Sequence, residues 1–285
     1  MSSLRALRRR IKSVQNTQQI TKAMEMVAAA KLRRAQGRAT AARPYAAKIS
    51  AMLGSLAGAA GDLDHPLFKA REVKRTALVL VTADRGLCGG YNSTLVRAAE
   101  QRLRAAEPGS IQLVLVGRKG RDYFRRRKFP VLATHTPVPA EASLEFARTL
   151  TQDLIARFVA GEIDRVEIMF TEFISALRRQ VRVQTFLPVG AAGEPGAAAS
   201  DVIIFEPDAE SIFAELLPRY ATAKLFAALA DALASEHGAR MIAMGAARKN
   251  AGELIDLLVL RRNRMRQASI TKELLEIVGG AEALK

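Results

Sequence analysis

Residues Ala239–Ala281 read ARMIAMGAARKNAGELIDLLVLRRNRMRQASITKELLEIVGGA. The stretch has no proline, its only glycines are Gly245, Gly252, Gly279 and Gly280, and its apolar residues recur at helical spacing, which predicts one long helix. Its segment Leu254-Ile-Asp-Leu-Leu-Val-Leu260 is apolar nearly all the way round, so a single partner helix cannot cover it and more than one surface must surround it. The next segment, Arg261-Arg-Asn-Arg-Met-Arg-Gln267, is a collar of cations and amides. An apolar rod with a cationic collar is the pattern of a shaft inside a sleeve, and the rest of the chain is read from that rod outward.

Working back toward the N-terminus, Asp208 is placed to cap a helix that begins at Ala209, with Ile212, Phe213, Leu216 and Leu217 as its first apolar stripe. Tyr220, Lys224, Phe226, Leu229 and Leu233 carry the helix forward. Pro218 is expected to kink its first turns, and the glycines at 238 and 245 each cost about 1 kcal/mol inside a helix. The element is expected to run from Asp208 to Val278, about 100 Å at about 1.5 Å per residue.

A second long helix stands at the other end. Leu4, Leu7, Ile11 and Val14 alternate three and four apart, the spacing of a coiled-coil seam. The same register continued would fall on Gln18, Thr21 and Glu25, so the apolar stripe is expected to move to Ile20, Met24 and Val27. Ala28, Ala29, Ala30 and Ala35 then permit close approach of a neighbouring backbone. The helix is expected to reach Leu56 with a bend near Pro44. Two long basic helices flanking a globular insert can pair antiparallel. An Arg-rich, acid-poor N-terminus also fits a transit peptide, but the patterned helix begins at Leu4 and argues against a removable segment.

Charge separates the ends from the middle. The net charge is +16, and residues 1–48 hold twelve Lys and Arg against Glu25 alone. Residues 237–272 hold eight cations against Glu253 and Asp256, so everything else is close to neutral. Such termini suit a polyanion, either nucleic acid or an acidic protein surface. The chain has no Trp and only four Tyr, which weakens the nucleic-acid reading by removing the usual stacking platforms. Cys88 is the only cysteine, which excludes an internal disulfide and fits a reducing compartment. His65, His135 and His237 are scattered without the spacing of metal ligands. No apolar run approaches the roughly eighteen residues of a membrane span.

The middle of the chain alternates strand and helix. Ala77–Thr82, Ile111–Val116 and Arg165–Thr171 are short β-branched runs of the buried-strand type, a further strand lies near Val131, and helices are expected over Ser93–Ala106 and Ala142–Val159. This order implies a mostly parallel sheet with helices on both faces, and Val181–Leu187 adds an antiparallel edge strand. Val189–Ser200, rich in Gly, Ala and Pro, reads as a loop. The loop Asp84-Arg-Gly-Leu-Cys-Gly-Gly90 follows the first strand, where α/β sheets bind ligands. Its glycines fit neither dinucleotide nor Walker spacing, and Cys88 has no histidine near it in sequence, so a tight structural turn is expected rather than a phosphate site or a nucleophile.

Three stretches, Ile11–Lys31 (IKSVQNTQQITKAMEMVAAAK), Asp84–Gly90 and Arg266–Leu274 (RQASITKEL), closely resemble the signatures of the gamma subunit of F-type ATP synthases, and the likeness extends from Leu4 to Leu284. The resemblance implies a long antiparallel coiled coil of N- and C-terminal helices with an inserted Rossmann-like, mostly parallel α/β domain. The divisions it suggests are residues 1–57, 73–207 and 208–285. It implies a central-stalk rotor whose tip turns inside a hexamer of alpha and beta subunits, while its head meets the epsilon subunit and the membrane ring (c-ring). Rotation couples ion flow, expected to be protons, to ATP synthesis or hydrolysis.

By the same resemblance the chain carries no catalytic residue and no cofactor, binds neither nucleic acid nor a small-molecule substrate, and is peripheral on the cytoplasmic side of a bacterial plasma membrane. Arg266, Gln267 and Thr271 fall at the positions that contact beta-subunit catch loops, Met24 faces the acidic lever of the beta subunits, and Phe205 approaches the membrane ring. Ile270–Val278 would form the bearing tip. Arg262 departs from the family pattern, which has an aromatic residue there. The rival reading of the residues is a basic coiled-coil protein that binds nucleic acid.

Overall fold

The computed structural model describes residues 4–60, 65–69, 71–190 and 209–282. Helix α1 spans Leu4–Ala60 and continues through Pro44, and helix α5 spans Ala209–Glu282 and continues through Pro218. Between them come β1 (Thr76–Val81), α2 (Tyr91–Ala105), β2 (Ile111–Val116), α3 (Arg118–Phe124), β3 (Val131–His135), α4 (Leu144–Val159), β4 (Arg165–Phe173) and β5 (Arg179–Leu187). Its contacts divide the chain into two units, one drawn from residues 1–27 and 241–285 and the other from residues 28–240.

In the larger unit the strands form one sheet in the order β3-β2-β1-β4-β5, parallel except for β5, which runs antiparallel to β4. Side chains alternate across a strand, so β1 feeds two cores. Ala77, Val79 and Val81 join Val114, Ile168 and Phe170 on one face, beneath Leu150, Leu154 and Phe158 of α4 and Phe213, Leu217 and Leu225 of α5. Leu78 and Leu80 join Leu113, Leu115 and Met169 on the other, beneath Tyr91, Leu95 and Ala99 of α2 and Phe124 of α3. Both faces are therefore covered, which is why these strands are continuous apolar runs.

Local chemistry sets the element ends. The Ser143 side chain accepts a hydrogen bond from the Phe146 amide at 3.3 Å, so α4 starts one turn-defining cap later than the apolar pattern alone suggests. Helix α3 has no counterpart in the sequence reading: seven residues are too few to show a helical period, and Gly120 sits inside it. A Cβ on Gly120 would lie 2.9 Å from Thr82 Oγ1, and one on Gly117, whose φ is +96°, would lie 2.0 Å from the Thr82 carbonyl oxygen. The glycines let α3 start directly against the end of β1. The Thr82 hydroxyl donates to Val116 O and accepts from the Gly120 amide, so it is satisfied at that contact.

The portion of α5 in this unit is tied to the sheet and to α2 by polar bonds as well as by packing. Ser235 Oγ donates to Thr171 O at 3.0 Å, Tyr91 Oη donates to Ala232 O at 3.2 Å, and Lys224 Nζ donates to Thr185 O at 2.8 Å.

The smaller unit pairs the start of α1 with the end of α5. Leu7 and Ile11 pack with Leu258, flanked by Val14, Val259 and Met265. Gln18 lies beside Gly252, and Glu25 lies beside Gly245 and Arg248. As the number on α1 rises the number on α5 falls, so the two helices are antiparallel.

The expected shift of the α1 stripe does not occur. Ile20 and Val27 are 60% and 56% exposed, whereas Thr21 is 8% exposed, so the seam keeps its original register and takes polar residues into it. Glycines on α5 explain how. A Cβ at position 252 would stand 3.1 Å from Gln18 Nε2, and one at 245 would stand 3.1 Å from Glu25 Oε1. The absent side chains leave room for the two long polar ones, and the Thr21 hydroxyl donates to the backbone oxygens of Thr17 and Gln18.

Candidate interaction surface

The outside of the smaller unit carries apolar residues of its own. Ile20, Met26 and Val27 on α1 are more than half exposed, and so are Leu257 and Leu260 on α5, with Leu254 at 38%. Toward the C-terminus Leu274, Leu275, Ile277 and Val278 are 58–69% exposed and Ile270 is 49% exposed. Single exposed apolar residues are ordinary, but an apolar surface that runs along both helices marks contact with other molecules. Met24 is half-buried in the same unit.

The cationic collar lies within this surface. Arg262 folds onto its neighbour, donating from Nε and Nη2 to Asn263 Oδ1 at 3.4 and 3.2 Å. The side chain of Arg266 is exposed, as are those of Gln267 and Thr271. Gln267 and Thr271 are four residues apart on one helix and so share a face, with Arg266 adjoining it. A planar guanidinium beside an amide and a hydroxyl can grip carboxylate and carbonyl oxygens in fixed geometry. Phe205 and the cap position Asp208 lie outside the described residues, as does the Gly/Ala/Pro-rich stretch from position 191 onward.

In the larger unit the loop from Asp84 to Gly90 is held from several sides. The Asp84 carboxylate accepts from the amides of Arg118 and Val138, both at 2.8 Å, and Asn92 Oδ1 accepts from the Ala83 amide. Cys88 is 2% exposed, takes a 3.2 Å bond from Asn92 Nδ2 and contacts Arg85 O. Burial pushes its thiol above the usual value, the opposite of what an activated nucleophile needs. Leu87, at φ +61°, points its side chain into solvent.

Arg240 pins this loop to α5, a role that 154 residues of sequence separation hid from the sequence reading. Its guanidinium donates to Gly86 O at 3.2 Å and to Arg85 O at 3.4 Å, and pairs with Glu236 at 2.7 Å. Burial raises the Glu236 pKa above the carboxylate norm. His237, within 3.3 Å of Arg240, is lowered to about 4 by burial and by the charges of Arg240 and Lys31. These are supports of a turn and hold no pairing of nucleophile with base. Among the described residues no His, Cys, Asp and Glu gather in a metal-binding group, and no helix is long and apolar enough to cross a membrane.

A family model described as ATP synthase matches residues 3–284. The ATP synthase gamma chain of Moorella thermoacetica is 49% identical over 285 residues, covering all of both chains, and that of Desulforamulus reducens is 50% identical over 286 residues with the same coverage. The chain belongs to the ATP synthase gamma chain family. Among solved structures, a chain from the central stalk and c-ring of the Tetrahymena thermophila mitochondrial ATP synthase superposes with a TM-score of 0.63 at 26% identity, covering 80% of this chain and 99% of that one. A chain of the Euglena gracilis mitochondrial ATP synthase gives a TM-score of 0.69 at 19% identity, covering 99% and 94%, and shows the same fold. Gamma-chain membership accounts for the long paired helices and the inserted parallel sheet together, and nothing in it supports the nucleic-acid reading of the basic termini.

Proposed function

We propose that this chain is the central-stalk rotor of an F-type ATP synthase, converting ion flow through a membrane ring into successive states of catalytic sites that lie on other subunits. The observation that carries the reading is the polar stretch of the seam beyond its apolar end at Leu7, Ile11 and Leu258, set against apolar residues on the outside of the same helices. Gln18, Thr21 and Glu25 occupy the seam, while Ile20, Val27, Leu257 and Leu260 face outward. A pair of helices alone in water gains nothing from that arrangement, whereas a shaft surrounded by protein buries those side chains at about 25 cal/mol per Å² of apolar area.

The sleeve is a hexamer of alpha and beta subunits. Arg266, Gln267 and Thr271 engage catch loops of the beta subunits, and Met24 runs past their acidic lever, where the uncharged thioether makes no ion pair that would hold the rotor at one angle. The α/β head meets the epsilon subunit and, through the segment around Phe205, the membrane ring. The chain contributes mechanical coupling and no catalytic group or cofactor. Its place is peripheral, on the cytoplasmic face of a bacterial plasma membrane, and the choice of coupling ion belongs to the membrane ring rather than to this chain.

The test is made on the assembled complex. Replacing Arg266 and Gln267 together with alanine is expected to lower coupled ATP synthesis several-fold while leaving subunit composition intact. Synthesis at the unmodified rate would overturn the assignment of these residues. Purification of the chain at moderate salt without alpha and beta subunits would overturn the rotor reading itself.

A further inference from the structure

Beyond the carboxyl ends of β1, β2 and β3 lies a cleft of about 330 Å³, closed on its far side by α5. The strand order places it next to the point where the chain, having built β2 and β3 on one side of β1, returns to lay β4 on the other. That is where open α/β sheets leave a crevice for ligands, and the volume is at the lower end of small-molecule sites.

The charges of the cleft divide into those already committed and those left over. Its three carboxylates are used: Asp84 by two backbone amides, Glu141 by Arg38, and Glu236 by Arg240. Lys31, Arg85 and Arg118 also line the cleft, and among the described residues their side chains make no ion pair or hydrogen bond. Lys31 sits near the buried end, where its charge acts on both Glu236 and His237. Val138, Phe146, Leu229 and Leu233 give the cleft an apolar wall, alongside the polar side chains of Thr82, Ser143 and His237.

From this arrangement we infer that the cleft binds an aromatic phosphate monoester, with the phosphate among Lys31, Arg85 and Arg118 and the flat body against Phe146 and Leu233. Three uncommitted cations match a phosphate carrying about −1.5 to −2 charges better than a single carboxylate, and two of them are arginines whose forks fit its oxygens. An inorganic ion would leave the apolar wall uncovered. The site is independent of the rotor reading and uses none of the residues assigned to the collar.

Photolabelling of the assembled complex with azidophenyl phosphate tests it, with labelled peptides mapped by mass spectrometry. Label is expected within residues 137–146 or 229–240, displaced by excess phenyl phosphate and only weakly by inorganic phosphate. Lys31→Gln with Arg118→Gln should reduce that label about tenfold or more, while Arg126→Gln, outside the cleft, should leave it unchanged. Three results would each overturn the inference: no displaceable label in these segments, label indifferent to the double substitution, or label on the full chain alone that vanishes in the complex. The last would mean that an acidic segment of a partner fills the cleft.

Discussion

The sheet of the larger unit and the seam of the smaller one are buried differently: the sheet has an apolar core on each face, whereas the seam joins an apolar end at Leu7, Ile11 and Leu258 to a polar stretch at Gln18, Thr21 and Glu25. Leu78, Leu80 and Leu113 are fully buried between helices that cover both faces of the sheet, and the carboxylate buried beside Leu78, that of Glu167, is paired with Arg102. In the seam, Thr21 is buried and Gln18 and Glu25 are half-buried, while comparable apolar residues of the same helices stand outside. The sheet is therefore stabilised chiefly by its own core. The seam obtains register from its polar residues at a cost in stability, as single polar positions do in coiled coils, and depends on a surrounding surface for much of its apolar burial.

The largest effect that would test this contrast is in the sheet. Leu80→Ala removes a fully buried side chain and is expected to destabilise the chain by about 2–5 kcal/mol, seen as a lowered midpoint in denaturant. A comparable truncation on the outer face of the smaller unit, Leu257→Ala, should change the free chain by less than about 0.5 kcal/mol, because Leu257 is 64% exposed. If the two substitutions cost the same, the outer face is already covered within the chain and the contrast fails.

A pH scan reaches the buried polar groups of the larger unit. His237 is neutral in the folded chain, with its pKa lowered to about 4 against an ordinary 6.5. Above 6.5 the folded and unfolded states both hold it neutral and it has no effect. As pH falls from 6.5 toward 4 the unfolded state takes up the proton first, so the stability present at neutral pH is progressively lost. Thermal midpoints measured across that window should fall more steeply for the unmodified chain than for His237→Gln, and equal slopes would show that the histidine is not held neutral by its burial.

What the sequence disclosed follows the same division. The central strands β1, β2 and β4 were legible as short β-branched apolar runs buried on both faces, and both long helices were legible from period and the scarcity of breakers. The seam was misread at Ile20 and Val27, since an apolar residue signals burial without naming the surface that buries it, and here that surface is not the partner helix. The places for Gln18 and Glu25 depend on Gly252 and Gly245, more than 200 residues away, and only the antiparallel register brings them together. Sequence separation likewise hid Arg240, 154 residues from the loop turn it holds, and the gathering of Lys31, Arg85 and Arg118 around one cleft. Arg266, Gln267 and Thr271 came from family resemblance, since three exposed polar residues on a helix carry no signal of their own.

A smaller effect belongs to the fit of Glu25 over Gly245. Glu25 Oε2 accepts from Arg248 Nε at 2.9 Å, but both side chains are partly exposed, so Glu25→Ala should cost no more than about 1 kcal/mol. Gly245→Ala gains about 1 kcal/mol of helix propensity and sets that against a Cβ 3.1 Å from a carboxylate that can swing aside. The informative quantity is their coupling. If the glycine is there to seat Glu25, alanine at 245 should stabilise the Glu25→Ala chain more than it stabilises the unmodified one, whereas additive effects in a double-mutant cycle would show that the two positions ignore each other.

The smallest expected effect is the most discriminating. The side chains of Arg266 and Gln267 are exposed and make no hydrogen bond or ion pair among the described residues, so replacing both with alanine should alter the stability of the free chain by less than about 0.5 kcal/mol. The same pair is assigned the grip on the surrounding subunits, where the loss should appear as reduced coupling in the assembled complex. A change in the denaturation midpoint of the free chain as large as that of Leu80→Ala would make the collar part of the fold and leave its surface role without support. An unchanged midpoint with impaired coupling would separate the residues that build the shaft from those through which it acts.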